Sequence, residues 1–288
     1  MSAWQGLTSV VTGGGSGIGR ALALRAAGQG ATVAVLDIDH LRADAVAAEI
    51  TQNGGRARAY ACDIADAPGL AVLAAHVIDD FGAINYLFAN AGVCTGSTLA
   101  KTSPQNAQWL FQVNVLGTFN TLQVFLPSLQ AEAAAGRTAH IITTGSENSV
   151  GLPALGPTSV YTATKHAVLG LMDALRRDLQ GSGIKTSVLC PGLVHTDLLD
   201  SKRHRPEIFG GAEHATPAQR AHVDEFMAAQ GQDPALTAQL CFEGIAREDF
   251  IIVTDPNIRD FATRRHREVD EALDVLDARL NSMAAAPR

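Results

Sequence analysis

The sequence predicts an α/β protein: a doubly wound, seven-stranded parallel sheet with helices on both faces. Short β-branched apolar runs alternate with alanine- and leucine-rich helical stretches, the reading of βαβ units. A glycine-rich turn follows the first run and opens a helix, and an aspartate ends the second run.

Strands are expected at 7–11, 32–36, 57–62, 84–89, 140–143, 185–189 and 250–253, with helices filling the intervals. Ligands of such a sheet bind beyond the carboxyl ends of the strands, so the loops there are where chemistry is sought. Two stretches interrupt the alternation. Residues 195–233 carry Pro206 and Gly210-Gly211 among mixed charges and read as a mobile lid rather than a further sheet unit. Residues 257–281 place Ile258, Ala262, Val269, Ala272, Leu276 and Leu280 near helical spacing, an amphipathic helix that caps the fold or meets a partner subunit. The expected organisation is therefore one domain over 1–288, with a lid at about 195–233 and a helical extension at about 257–288.

With 288 residues, 47% hydrophobic and 18% charged, the chain has ample material for a core. A net charge of −7 and a pI near 5.7 provide no basic footprint, so nucleic acid is not the expected partner. Residues 1–11 lack a charged leader pattern, and no segment reaches the roughly 20 apolar residues of a membrane span. Cys62, Cys94, Cys190 and Cys241 are scattered without a Cys-x-x-Cys pair, which argues against a zinc knuckle or a disulfide framework. A cytoplasmic protein that stays off the membrane is expected.

After the first strand the chain reads Thr12-Gly13-Gly14-Gly15-Ser16-Gly17-Ile18-Gly19. Glycine there permits positive φ and lets a pyrophosphate approach a helix N-terminus, where free N–H groups favour anions. Arg20-Ala21 follows the last glycine, so the lysine and hydroxyl of a P-loop are missing. The longer G-x-G-x-x-G fingerprint fails too, because the spacing is Gly13, Gly17, Gly19. Asp37 stands 18 residues beyond Gly19, where an acid hydrogen-bonds adenosine ribose hydroxyls and repels a 2′-phosphate. A Rossmann-type sheet that binds NAD rather than NADP is expected.

Tyr161 and Lys165 share one face at the start of an apolar helix. A neighbouring ammonium and a positive nicotinamide would both favour the phenolate, letting Tyr161 accept a proton from an alcohol. Thr12-Gly13-x-x-x-Gly17-x-Gly19, Asn90-Ala91-Gly92, a strand ending at Ser146, Tyr161-x-x-x-Lys165 and Pro191-Gly192, in that order, resemble the short-chain dehydrogenases/reductases. The resemblance runs from about residue 7 to 196 and resumes near Ile251. It implies an oxidoreductase that moves a hydride between NAD and a secondary alcohol or ketone. It also implies a catalytic tetrad: Tyr161 as general base or acid, Ser146 hydrogen-bonding the substrate oxygen, Lys165 holding the nicotinamide ribose, Asn114 supporting a water relay. Asp63 and Ile64 would lie on the adenine side, and Asn90, Ala91 and Gly92 beside the central strand. Ser16, Ile18, Pro191, Gly192, Val194 and Thr196 would complete the cofactor site. Ser146 lies 15 residues before Tyr161. The family's usual distance falls on Asn148, so a two-residue insertion within 151–159 is expected, with Ser149 as the fallback.

By the same resemblance the helices near 106–126 and 158–179 pair between subunits into a homodimer or homotetramer. Leu152, Pro153, Leu155, Leu198, Leu199 and Phe209 suggest an apolar pocket for a hydrophobic or aromatic substrate. His195, His204, His214 and His222 have no helical zinc spacing, so no metal is expected. Lys202-Arg203-His204-Arg205 reads as a solvated face among acids, or less readily as an anchor for an anionic substrate. A hydrolase is disfavoured because neither Ser16 nor Ser146 sits in a Gly-x-Ser-x-Gly elbow. The competing reading is an NAD-binding regulatory protein without turnover, which would not need the tetrad.

Overall fold

The structure, a computed structural model, describes residues 4–153 and 156–285. In chain order its elements are β1 (Thr8–Thr12), α1 (Gly17–Gly28), β2 (Thr32–Asp37), α2 (His40–Gln52), β3 (Arg56–Ala61), α3 (Ala67–Phe81), β4 (Tyr86–Ala89), α4 (Pro104–Phe111) and α5 (Thr118–Ala134). They continue with β5 (His140–Thr144), α6 (Ser159–Asp178), β6 (Lys185–Cys190), α7 (Pro217–Gln230), α8 (Pro234–Ala246), β7 (Ile251–Val253) and α9 (Ile258–Ala285). The strands form one seven-stranded sheet in the order β3-β2-β1-β4-β5-β6-β7, every pair parallel. This is the Rossmann-type doubly wound sheet, with the direction of winding reversing between β1 and β4.

Period-two alternation sends successive side chains to opposite faces, and each face has its own core. Val11, Val33, Val35, Phe88 and Leu189 pack under α1, α2 and α8. Val10, Leu36, Leu87, Ile141 and Val188 pack under α3, α5 and α6. Trp4 closes one end of the first layer, stacked on Tyr86 at 3.6 Å and on Phe242 at 4.6 Å. Burying a side chain such as Phe125 or Leu22 contributes roughly 1.5–3 kcal/mol each, so the sheet is held rigidly from both sides.

Four strands run one residue further toward the site than their apolar runs suggest. Thr12, Asp37, Thr144 and Cys190 keep parallel register with Leu36, Ala61, Leu189 and Val253. A ladder is a backbone property, so it continues through polar residues that end an apolar pattern. The stretch expected as one helix over 106–126 is interrupted by a π-helical turn, Gln112–Gly117, between α4 and α5. The 195–233 stretch contains two 3₁₀ segments, Asp197–His204 and Glu207–Phe209, and then α7, whose Thr216 forms a capping box with Gln219. Among the described residues no helix is long and apolar enough to cross a membrane.

Candidate active site

A cavity of about 490 Å³ opens over the carboxyl ends of the central strands. Its floor is the glycine turn between β1 and α1. Gly13 and Gly17 take φ of 62° and 50°. A Cβ on Gly13 would meet the Ala91 backbone at 2.8 Å, and one on Gly17 would meet Thr196 at 2.8 Å. Ser16 caps α1 with its backbone alone, its hydroxyl making no capping hydrogen bond, so no side chain blocks the N-terminal N–H groups of α1.

Asp37 ends β2 at one end of the cavity. Its carboxylate accepts hydrogen bonds from the Gly15 N–H and the Asp39 N–H, both at 2.9 Å, which ties the glycine turn to the acid. Arg42 also lines this end, but its guanidinium is held by Asp197 at 2.5 Å and Asp39 at 3.4 Å. Asn90 joins three strand ends. Its Nδ2 donates to the Thr12 carbonyl at 3.1 Å, its N–H donates to Thr12 Oγ1 at 3.0 Å, and its Oδ1 accepts from Thr144 Oγ1 at 2.9 Å.

At the other end stand Ser146, Tyr161 and Lys165, all buried. Tyr161 and Lys165 lie one turn apart on the first half of α6, so their side chains share its inward face. The Ser146 side chain neighbours the Tyr161 phenol and favours its charged form. Ser146 Oγ donates to Asn148 Oδ1 at 3.1 Å, while Asn148 Nδ2 donates to Thr162 Oγ1 at 2.8 Å on α6. Asn148, at the position where the family resemblance places a serine, thus links the serine to the tyrosine helix through a short 3₁₀ turn. Ser149 points elsewhere, its hydroxyl donating to the Lys165 carbonyl at 2.9 Å, and it does not line the cavity.

The electrostatics differ from the expectation in one respect. Burial raises the Tyr161 phenol above its ordinary value, with Cys94 and Glu147 adding to the rise and only the neighbouring Ser146 opposing it. The lysine is not among the groups that lower it. Burial brings Lys165 down to about 8, and its ammonium donates to the Thr144 carbonyl at 2.8 Å, with Nζ 5.7 Å from the tyrosine ring centre.

Every residue expected to bind the cofactor lines this one cavity: Gly13, Ser16, Gly17, Ile18, Gly19 and Asp37 on one side, then Asp63 and Ile64, Asn90 to Gly92, and Pro191, Gly192, Val194 and Thr196 opposite, with Tyr161 and Lys165. Of the tetrad, Asn114 alone does not face it. Only 1% exposed in the π-helical turn, Asn114 accepts from the Val93 N–H at 2.8 Å and donates to the Val93 carbonyl at 2.9 Å and Thr164 Oγ1 at 3.0 Å. Its side chain pins the loop after β4 to the tyrosine helix. Pro153, Leu198, Leu199 and Phe209 line the cavity as expected. Leu152 does not and is 63% exposed, and Leu155 lies outside the described residues. The basic run is paired with acids: Lys202 and Arg205 with Glu213, and Arg203 with Asp197 and Asp200.

Sequence reasoning missed Glu147, Cys94, Trp109, Phe226 and Met227, all on the cavity wall. Glu147 immediately follows Ser146, and burial with Asp255 nearby pushes its carboxyl up to about 7. Its place beside a strand-end serine was the available signal.

The chain matches the profile of the short chain dehydrogenases over residues 8–207. It is 36% identical to 1-deoxy-11-beta-hydroxypentalenate dehydrogenase of Streptomyces exfoliatus, with 68% of this chain and 70% of that one covered. It is also 36% identical to 2,5-dichloro-2,5-cyclohexadiene-1,4-diol dehydrogenase of Sphingobium indicum, covering 69% of this chain and 77% of the relative. Among solved structures, a short chain dehydrogenase/reductase from Burkholderia phymatum in complex with NAD superposes with a TM-score of 0.84 at 30% identity, covering 94% of this chain and 97% of that one.

Proposed function

The chain belongs to the short-chain dehydrogenase family of oxidoreductases, and from that premise we propose that it transfers a hydride between NAD(H) and a hydrophobic secondary alcohol or ketone, with Tyr161 as the proton-transferring group. The observation that carries this reading is one cavity lined by the glycine turn and Asp37 at one end and by Ser146, Tyr161 and Lys165 at the other. The residues fit a dinucleotide: the turn is packed so closely that a Cβ on Gly13 or Gly17 would clash with Ala91 or Thr196, the N-terminus of α1 has no side-chain cap, and Asp37 faces the end where a ribose would lie. The cation nearest that end, Arg42, is already held by two carboxylates, which supports NAD over NADP.

The bound nicotinamide supplies the hydride acceptor or donor. Ser146 orients the substrate oxygen by a hydrogen bond, and Tyr161 takes the hydroxyl proton in oxidation or returns it in reduction. Lys165 holds the ribose. Asn114 keeps the loop after β4 and α6 in register around them. Trp109, Phe209, Phe226 and Met227 give the substrate end an apolar wall, which supports a hydrophobic substrate. The two dehydrogenase relatives are named for hydroxyl-bearing substrates, which favours the same class.

We read residues 195–233 as a lid, because Leu198, Leu199, Phe209, Phe226 and Met227 all turn toward the cavity from it. The rest is one domain extended by α9. Four buried free cysteines support a reducing, cytoplasmic setting. Exposed Phe111, Leu116 and Phe119, from α4 through the π-helical turn to α5, support the expected pairing of subunits through that face.

Screening hydrophobic and aromatic secondary alcohols for NADH formation tests the activity itself, and distinguishes an enzyme from an NAD-binding regulator. In Tyr161→Phe, kcat is expected to fall by roughly 10²–10⁴-fold while NADH still binds, because the ring and Lys165 remain. A variant that kept most of its turnover on a good substrate would move the proton transfer to another group.

A further inference from the structure

Among the described residues, α9 packs on the body through its first turn. Ile258 is buried, and Phe261 lies so close to Gly151 that a Cβ there would meet it at 2.5 Å. From Thr263 to Ala284 every side chain is exposed, and among the described residues none of them makes an ion pair. That is about 33 Å of helix projecting from the body without support from its own chain. Helices in proteins draw most of their stability from packing an apolar face, and one standing alone in water is marginal. The charge pattern does not compensate. Asp270 and Asp274 are like charges four apart, and Arg264 precedes Glu268 in the less favourable order.

The apolar side chains on this stretch are not scattered. Val269, Leu273, Leu276, Leu280 and Met283 follow one another in steps of four, three, four and three, and each is 48–64% exposed. This 3.5-residue period is the narrow seam of a coiled coil, which fits another helix of the same period rather than a sheet. Leu273 and Leu280 take the a positions, and Val269, Leu276 and Met283 the d positions. Beside the seam, Asp270 and Asp277 fall at e, and Arg265 and Arg279 at g. Two parallel copies would set Arg265 of one against Asp270 of the other. Antiparallel copies would set aspartate against aspartate and arginine against arginine.

We propose that α9 is a dimerisation helix that pairs with α9 of a second copy of this chain as a parallel two-stranded coiled coil. The contact is separate from the α4–α5 face, and its two-fold axis runs along the coil.

The test uses the full chain. All four native cysteines are buried, so an introduced exposed thiol reports on its own neighbourhood. Leu273→Cys and Leu280→Cys, made separately, are each expected to form a disulfide-linked dimer under mild oxidation. Val275→Cys, 71% exposed on the outer side of the helix, is expected to stay uncrosslinked. An antiparallel pair can place at most one of the two a positions opposite itself, so failure of either variant to crosslink overturns the proposal. Leu276→Glu, at a position too exposed to threaten folding, is expected to halve the assembled mass in sedimentation. An unchanged mass would overturn it equally.

Discussion

Tyr161 is asked to lose a proton from a place that disfavours the charge. It is 6% exposed, its phenol is raised by burial, and the nearest ammonium is itself brought down to about 8 and turned toward the Thr144 carbonyl. In the proposed reaction the missing positive charge arrives with the oxidised cofactor. Burial also raises Tyr60 and Tyr86, the other two tyrosines of the chain. The protein alone should therefore show no phenolate ultraviolet absorbance up to pH about 10. Saturating NAD should bring in the absorbance of one phenolate at lower pH, absent in Tyr161→Phe and absent with NADH, whose nicotinamide is neutral. A phenolate signal below pH about 10 in the protein alone would contradict the burial argument. Burial also raises the carboxyl of Glu147 in the same neighbourhood, with a consequence for stability. Its folded value of about 7 stands above the ordinary 4.5, so between those values the folded state holds a proton that the unfolded state releases. Stability is then lost as pH rises through this window. Glu147→Gln should match the parent near pH 4 and exceed it at pH 8 by about 1–2 kcal/mol, after solvent screening is allowed for, as read by denaturant unfolding.

At the scale of elements, the glycine turn is built around conformations that other residues resist. Gly17→Val should weaken NAD binding at least about tenfold in a calorimetric titration, because both its positive φ and its contact with Thr196 resist a side chain. Asp37→Ala should narrow the preference for NAD over NADP and also loosen the turn, since the carboxylate receives the Gly15 and Asp39 N–H groups. Equal efficiency with the two cofactors in the parent protein would remove the specificity role from Asp37. These features were legible in the sequence because they are local: a strand, a turn of fixed glycine spacing, an acid at the next strand end, and two residues four apart on a helix. What was not legible depends on packing between distant segments. The π-helical turn that carries Asn114 exists where Gly117 packs on Ile64, a Cβ there meeting Ile64 at 2.7 Å, and no pattern within 106–126 announces it. The Arg42–Asp197 pair joins residues 155 apart. Leu152 reads like its apolar neighbours in sequence yet points away from the cavity, because periodicity in a loop does not say which side faces inward.

At the scale of the whole molecule, the sheet holds the site between two rigid cores, and what remains unsatisfied lies on the outside. Two apolar surfaces are exposed at separate places: Phe111, Leu116 and Phe119 from α4 through the π-helical turn to α5, and the seam of α9. A soluble monomer rarely leaves such groups uncovered together. If both surfaces pair subunits, each by its own two-fold axis, the protein in solution is a tetramer, and the interfaces can be removed one at a time. Phe119→Glu places a charge in the α4–α5 face and should leave a dimer joined through α9. A chain ending at Ala262, which keeps Ile258 and Phe261 packed on the body, should leave a dimer joined through α4 and α5. The two changes together should yield a monomer. Light scattering at micromolar concentration reads all three states, and circular dichroism of each variant reports whether the fold survives. The two single changes should also differ in activity. The α4–α5 segment holds Asn114 and, through it, Thr164 on the tyrosine helix, so loosening that face should lower kcat. Losing the α9 seam, none of whose residues lines the cavity, should leave kcat unchanged. A parent protein that is monomeric at this concentration would refute both interfaces at once.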